Sequence, residues 1–235
     1  MEDLWHKVTG FIMYHDFEGF RQLVEQENMV QSKNENDNTL LHLVGYSVNA
    51  QGGDEWDNYN SFITYLLDKK VDVNAKNNKG ETALDLSLRH GASAETKLLL
   101  IHGAQAGNMN IEQLSSLLFS VSYQLIDYPE DYNLNEKVKL ICGALDAYNK
   151  VKSTYPEELA EAFSRSGEGS IREYKGIIDS HVHELMQDIE SHSPTEEKLE
   201  LSERLRTNFH FDDDNLVDQL GSTSIVGDPD GTVLD

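Results

Sequence analysis

The residues of this chain best suited to chemistry are the histidines of Ile177-Ile178-Asp179-Ser180-His181-Val182-His183-Glu184. An aspartate and two histidines at alternate positions would converge on one metal ion if they lay on a strand, because side chains two apart share a strand face. The flanking apolar residues argue for a different element. Ile171, Tyr174, Ile178, Val182, Leu185 and Ile189 recur at spacings of three and four, the period of a helix. On a helix, His181 and His183 stand about 200° apart around the axis and cannot share an ion. His181 and Glu184 do share a helical face, but no partner helix offers a matching set of ligands.

Other reactive groupings fail for similar reasons. Cys142, the sole cysteine, sits among Leu140, Ile141 and Leu145 and reads as a small core residue rather than a nucleophile. Alone it makes neither an internal disulfide nor a cysteine-based zinc site. Asp228-Pro229-Asp230-Gly231 begins like a calcium loop but lacks the third acidic ligand and the closing glutamate. Phosphate-binding glycine loops, a nucleophile elbow and the kinase motifs are absent from the sequence. The segment around His181 resembles the apolar-Asp-x-His-x-His strand that opens metal-dependent amidohydrolases and related phosphoesterases, and its helical period is the departure that separates the implied metal pair. The expectation is no catalytic residue, no metal and no cofactor.

The strongest regularity lies in the first half of the chain. Asn38-Thr39-Leu40-Leu41-His42-Leu43 and Glu81-Thr82-Ala83-Leu84-Asp85-Leu86 lie 43 residues apart, whereas Tyr65-Leu66-Leu67 and Leu98-Leu99-Leu100 lie 33 apart. A period near 33 belongs to stacked helical repeats, and the excess of 43 over 33 measures an insertion. Leu23-Val24 and Lys33 extend the register to a third copy. With Val71-Asp72-Val73-Asn74-Ala75-Lys76 and Gly80-Glu81-Thr82, these residues resemble the ankyrin repeat over residues 4–107. The resemblance implies three stacked helix pairs with hairpins between them, and a structural role for His42, tying one turn to the next. Thr39 and Thr82 are expected to cap helices, with the following leucines facing the neighbouring repeat. Asp37 and Lys70 stand where the family has glycine, and Leu40 where it has proline. Aspartate tolerates left-handed backbone better than lysine, so Lys70 is the weaker turn position.

The chain then divides into repeats over 1–107, a helical region over 108–209, and a closing acidic segment over 210–235 expected to be disordered. The insertion, residues 45–61, breaks at Gly52-Gly53 and carries Trp56 and Tyr59, which either anchor a partner or tuck under the loop. Leu4, Trp5, Val8, Phe11 and Ile12 begin a worn terminal repeat. Beyond 107, helical spacing continues through Ile111–Leu125, Leu134–Tyr148, a shorter helix opened by Pro156, Ile171–Ile189 after a flexible break at 166–170, and a last helix to about Phe209 capped at Ser193-Pro194-Thr195-Glu196. The fold class is all-α: an ankyrin-repeat solenoid followed by a helical bundle or capping helices.

Charge narrows the partners. With 42 acidic against 19 basic residues, the formal charge of −23 disfavours direct contact with nucleic acid or an anionic membrane and favours a basic protein surface, although solubility alone also accounts for it. No apolar run of membrane-spanning length and no signal-like start is present, so a reducing, cytoplasmic setting is expected. The reading is a non-enzymatic protein-interaction module that grips its target with Tyr46, Trp56, Tyr59 and the hairpin tip Asn77, Asn78 and Lys79. Small irregular ankyrin proteins with unfamiliar helical regions are similar to bacterial effectors secreted into eukaryotic cells without a cleaved signal peptide, or to host-range proteins of large viruses. The alternatives are an enzyme or inhibitor housed in residues 108–209, and an acidic mimic of nucleic acid.

Overall fold

The computed structural model describes residues 2–47, 57–90, 93–165, 167, 169–191 and 195–209. Among them every regular element is helical. Three helix pairs occupy the repeat region: α1 (Glu2–Met13) with α2 (Phe17–Gln26), α3 (Leu40–Ser47) with α4 (Asp57–Asp68), and α5 (Ala83–Arg89) with α6 (Ser93–Ile101). A longer pair follows, α7 (Ile111–Asp127) and α8 (Leu134–Thr154), separated by a 3-10 turn at Pro129–Asp131. The chain ends in α9 (Pro156–Ser164), α10 (Ile171–Ser191) and α11 (Glu196–Asn208).

Local signals place the helix ends. Thr82, Asn110 and Asn133 each accept a hydrogen bond from the backbone N–H three residues on, while Asp85, Gln113 and Glu136 reach back to the cap, closing a reciprocal box at α5, α7 and α8. Tyr155 ends α8, and Pro156 opens α9 at a position where its missing N–H costs nothing. Asn28, Lys70 and Gly103 all take positive φ just past α2, α4 and α6. In each case the next residue donates to the carbonyl five back, Met29 to Val24, Val71 to Leu66 and Ala104 to Leu99. Lys70, the weaker turn position by residue type, adopts φ 58° and makes the same turn as Gly103. The hydrogen bonds of the turn outweigh the side chain's preference.

The pairs stack in two rows. One row runs α1, α3, α5, α7, each helix packed on the next; in the other α4 meets α6 and α6 meets α8. Phe17 and Phe20 of α2 join that second row through edge-on contacts with Phe62 and Tyr65 of α4, at ring separations of 5.0–6.1 Å. Residue 107 ends the sequence repeat without breaking the packing, because α7 and α8 continue both rows. One buried cluster runs from Trp5 to Phe209. Beyond it α10 lies on α7, and α11 packs on α8 and α10, so the last helices cover the exposed end of the stack.

Candidate interaction surface

The hairpins between repeats are built by asparagine. Asn34 Oδ1 accepts the N–H groups of Asn36 and Asn38, and Asn77 Oδ1 accepts those of Lys79 and Glu81, all at 2.9–3.0 Å. Asp37 and Gly80 supply the positive φ at the same place in each turn. Successive hairpins then bond to each other: Asn78 N–H to Asn36 O, Asn77 Nδ2 to Asn38 Oδ1, and Asn108 Nδ2 to Lys79 O.

Beneath them, His42 and Asp85 occupy one position in consecutive repeats. His42 Nδ1 lies 3.1 Å from Thr39 N and 2.8 Å from its Oγ1, while Nε2 lies 3.0 Å from Glu81 O in the next hairpin. Burial holds the imidazole below its ordinary titration range, so it is neutral and the contacts place its proton on Nε2. Asp85 performs the same tie with acceptors only. It takes the N–H groups of Thr82 at 2.8 Å, Gly107 at 3.0 Å and Asn108 at 3.2 Å. Gly107 must be glycine here, since a Cβ would collide with the Asp85 carboxylate and stand 3.0 Å from Gly80 O.

These ties revise the expected contact residues. Asn77 is half-buried and its amide is fully engaged within the hairpin ladder, so it sets the tip rather than offering itself to a partner. Asn78 and Lys79 are exposed, although Asn78 is also bonded to Asn36. Tyr59 is 4% exposed and packs against His15 at 4.7 Å and beside Phe62. It belongs to the core, where burying its ring gains more than leaving it in water, and is corrected from the contact set. Tyr46 is 63% exposed and meets His90 edge-on. Trp56, most of the insertion and the segment 210–235 lie outside the described residues.

One surface open to a partner was not evident from residue types. α1, α3 and the first hairpin enclose an open groove of about 770 Å³. Trp5, Gly10, Met13 and Leu43 give it an apolar floor, and the exposed His6, Lys33 and Glu35 give it a polar rim. Gly10 leaves space: a Cβ there would meet nothing within 4 Å. Tyr46 stands one turn past Leu43 on the same helix. In sequence the signal was only a glycine in the middle of an amphipathic helix, a residue that costs roughly 1 kcal/mol against alanine.

The chemical candidates resolve as structure. His181 and His183 lie on α10, each with Nδ1 at 2.9 and 2.7 Å from the carbonyl four residues back. Among the described residues no group of three or more His, Cys, Asp or Glu is placed to hold a metal. Cys142 lines a second, smaller groove of about 450 Å³ with His102, Asp146 and Arg204, but burial pushes its thiol up to about 11. At neutral pH it is a thiol and a poor nucleophile. No described helix is long and apolar enough to cross a membrane.

No family profile matches the chain. A protein of Acanthamoeba polyphaga mimivirus, named as an ankyrin repeat protein, is similar at 26% identity over 110 residues, which is 47% of this chain. The match spans 63% of that protein's own length. With the paired helices, the hairpin ladder and the shared position of His42 and Asp85, the likeness supports ankyrin-like repeats in an all-α chain.

Proposed function

We propose that this chain is a non-enzymatic protein-interaction module whose target seats on the groove between α1, α3 and the first hairpin. The observation that carries this reading is the apolar floor of Trp5, Gly10, Met13 and Leu43, open to solvent and rimmed by charge. It sits on a scaffold whose hairpin polar groups are engaged in registering the repeats, leaving recognition to surfaces between them. Tyr46 and the tip residues Asn78 and Lys79 are the secondary contacts, with Trp56 as a further one on the insertion. A setting inside a eukaryotic cell, as a secreted effector or host-range protein, is part of the same proposal.

Gly10→Gln tests the site. Glutamine favours the helix and its side chain occupies the groove without meeting the core. Affinity capture from eukaryotic cells expressing the tagged chain should recover a partner with wild type, and about tenfold less with Gly10→Gln at unchanged melting temperature. Equal recovery by both would place the functional surface elsewhere.

A further inference from the structure

α7 carries two apolar stripes. Leu114, Leu117, Leu118, Val121 and Leu125 are buried in the stack. On the opposite face Phe119, Tyr123 and Ile126 recur at four and three residues and are 48, 41 and 52% exposed; Tyr128, just past the helix, is 43% exposed. The rings hold one another. Phe119 stacks on Tyr123 at 6.0 Å, Tyr123 meets Tyr128 edge-on at 5.5 Å, and Tyr174 of α10 leans on Phe119 at 5.4 Å. The Tyr123 and Tyr128 hydroxyls are 3.3 Å apart. Rings fixed in this way lose little freedom when something settles on them.

Along α7 and the turn after it the charge has one sign; on α10, Arg172 lies over Phe163 and bonds its carbonyl, and Lys175 pairs with Asp179. Residues 111–133 contain Glu112, Asp127, Glu130 and Asp131 and no lysine, arginine or histidine. The carboxylates at 127, 130 and 131 lie beside and just beyond Tyr128 on exposed backbone. The faces of aromatic rings are negative, so rings and carboxylates select the same kind of visitor, a cation.

We propose that this aromatic ledge of α7, with its acidic rim, is a second docking surface, and that it takes an arginine-bearing segment of a partner protein. A guanidinium plane stacks on the rings while its N–H groups reach the rim carboxylates. Lysine fits less well, because its compact, strongly hydrated ammonium neither stacks nor forks. A second copy of this chain is a poor occupant: joining two ledges would set carboxylate against carboxylate on a molecule of formal charge −23. The ledge is separate from the groove of α1 and α3, so the inference does not depend on that reading.

The test uses the full chain and short fluorescent peptides bearing arginine, lysine or citrulline at alternate positions, followed by anisotropy at roughly 0.15 M salt, where charges are screened beyond about 8 Å. The arginine peptide should bind, the lysine peptide more weakly by about threefold or more, and the citrulline peptide, which keeps the shape without the charge, not measurably. Phe119→Ser and Tyr123→Ser, on exposed rings, should each weaken the arginine peptide about tenfold with the net charge and melting temperature preserved. Gly10→Gln should leave it unchanged. Unaltered binding by both ring variants would show attraction to net charge alone and overturn the proposal. Equal binding of citrulline would make the ledge a plain apolar site, and loss with Gly10→Gln would return the peptide to the groove; either outcome sinks it. A wild-type dimer in sedimentation that Tyr123→Ser dissociates would assign the ledge to self-association instead.

Discussion

The two ends of the same repeat helices treat polar groups in opposite ways. At the hairpin end, where α3 and α5 begin, Asn34 closes its own turn, and Asn77, His42 and Asp85 are hydrogen-bonded to neighbouring turns and repeats. At the far end, where α5 stops and α4 and α6 start, Asn60 Oδ1, Ser87 Oγ and both oxygens of Glu95 are buried and find no hydrogen-bonding side chain or backbone group of another described residue. The first end fixes the spacing of one repeat on the next. The second adjoins the insertion and is free of that duty, so it tolerates extra residues and unsatisfied groups. A repeat thus keeps its period through its turns, and α7 and α8 continue the stack with longer helices where the sequence period has faded.

Deleting a polar group should therefore have opposite signs at the two ends. Asp85→Ala removes the acceptor of two buried N–H groups and one partly buried one and should cost about 3–5 kcal/mol, read as a fall in the urea midpoint. A loss below about 1 kcal/mol would mean that the tie is incidental to repeat registration.

Glu95→Gln should act the other way. Burial raises the Glu95 carboxyl to about 7, so the folded state holds a proton that the unfolded chain releases near 4.5. A raised acid favours folding in its neutral form. Its contribution is therefore fully present below the unfolded value, declines as pH rises from about 4.5 to about 7, and is lost above that. At pH above about 8 the glutamine variant should be more stable by roughly 2–3 kcal/mol, with the gain vanishing near pH 4.5, as followed by thermal melts across that range. No gain, or a loss, at high pH would show that the carboxylate is ionised and partnered in the folded state.

Asn133→Ala probes the region beyond the repeats, where the cap of α8 serves only its own helix. It should cost about 1 kcal/mol, well short of Asp85→Ala, because the one freed N–H, that of Glu136, is exposed to water. A comparable loss would extend the polar registration into the helical half. The smallest effect is expected at Lys70→Gly. Relieving φ 58° at a residue with a side chain should stabilise by about 0.5–1 kcal/mol, against the added freedom of the unfolded chain. A destabilised variant would show that the lysine stem packs on the turn.

Much of the scaffold was legible in the chain. The pair of spacings, 43 and 33, located three helix pairs because caps and turns depend on local residue types that recur at fixed places. The helical period around His181 was enough to separate His181 from His183. The second stripe on α7 was equally periodic, but the buried leucines beside it carried the stronger signal. The residues Leu114–Leu125 assigned the helix without saying that its other face stays bare.

What only the tertiary structure decided concerns relations between segments far apart in sequence. Tyr59 and the exposed Tyr46 are alike by type, and only packing against His15 and Phe62 makes one of them core. Asn77 reads as a loop tip until Asn38, 39 residues away, takes its amide. The groove exists because Gly10, Leu43 and the first hairpin meet, and the burial of the Glu95 carboxyl is apparent only once its surroundings are dry. Helix ends and turns are local hydrogen-bond problems that the sequence solves by itself. Burial and concavity depend on which surfaces arrive together, and that is settled only when the stack is assembled.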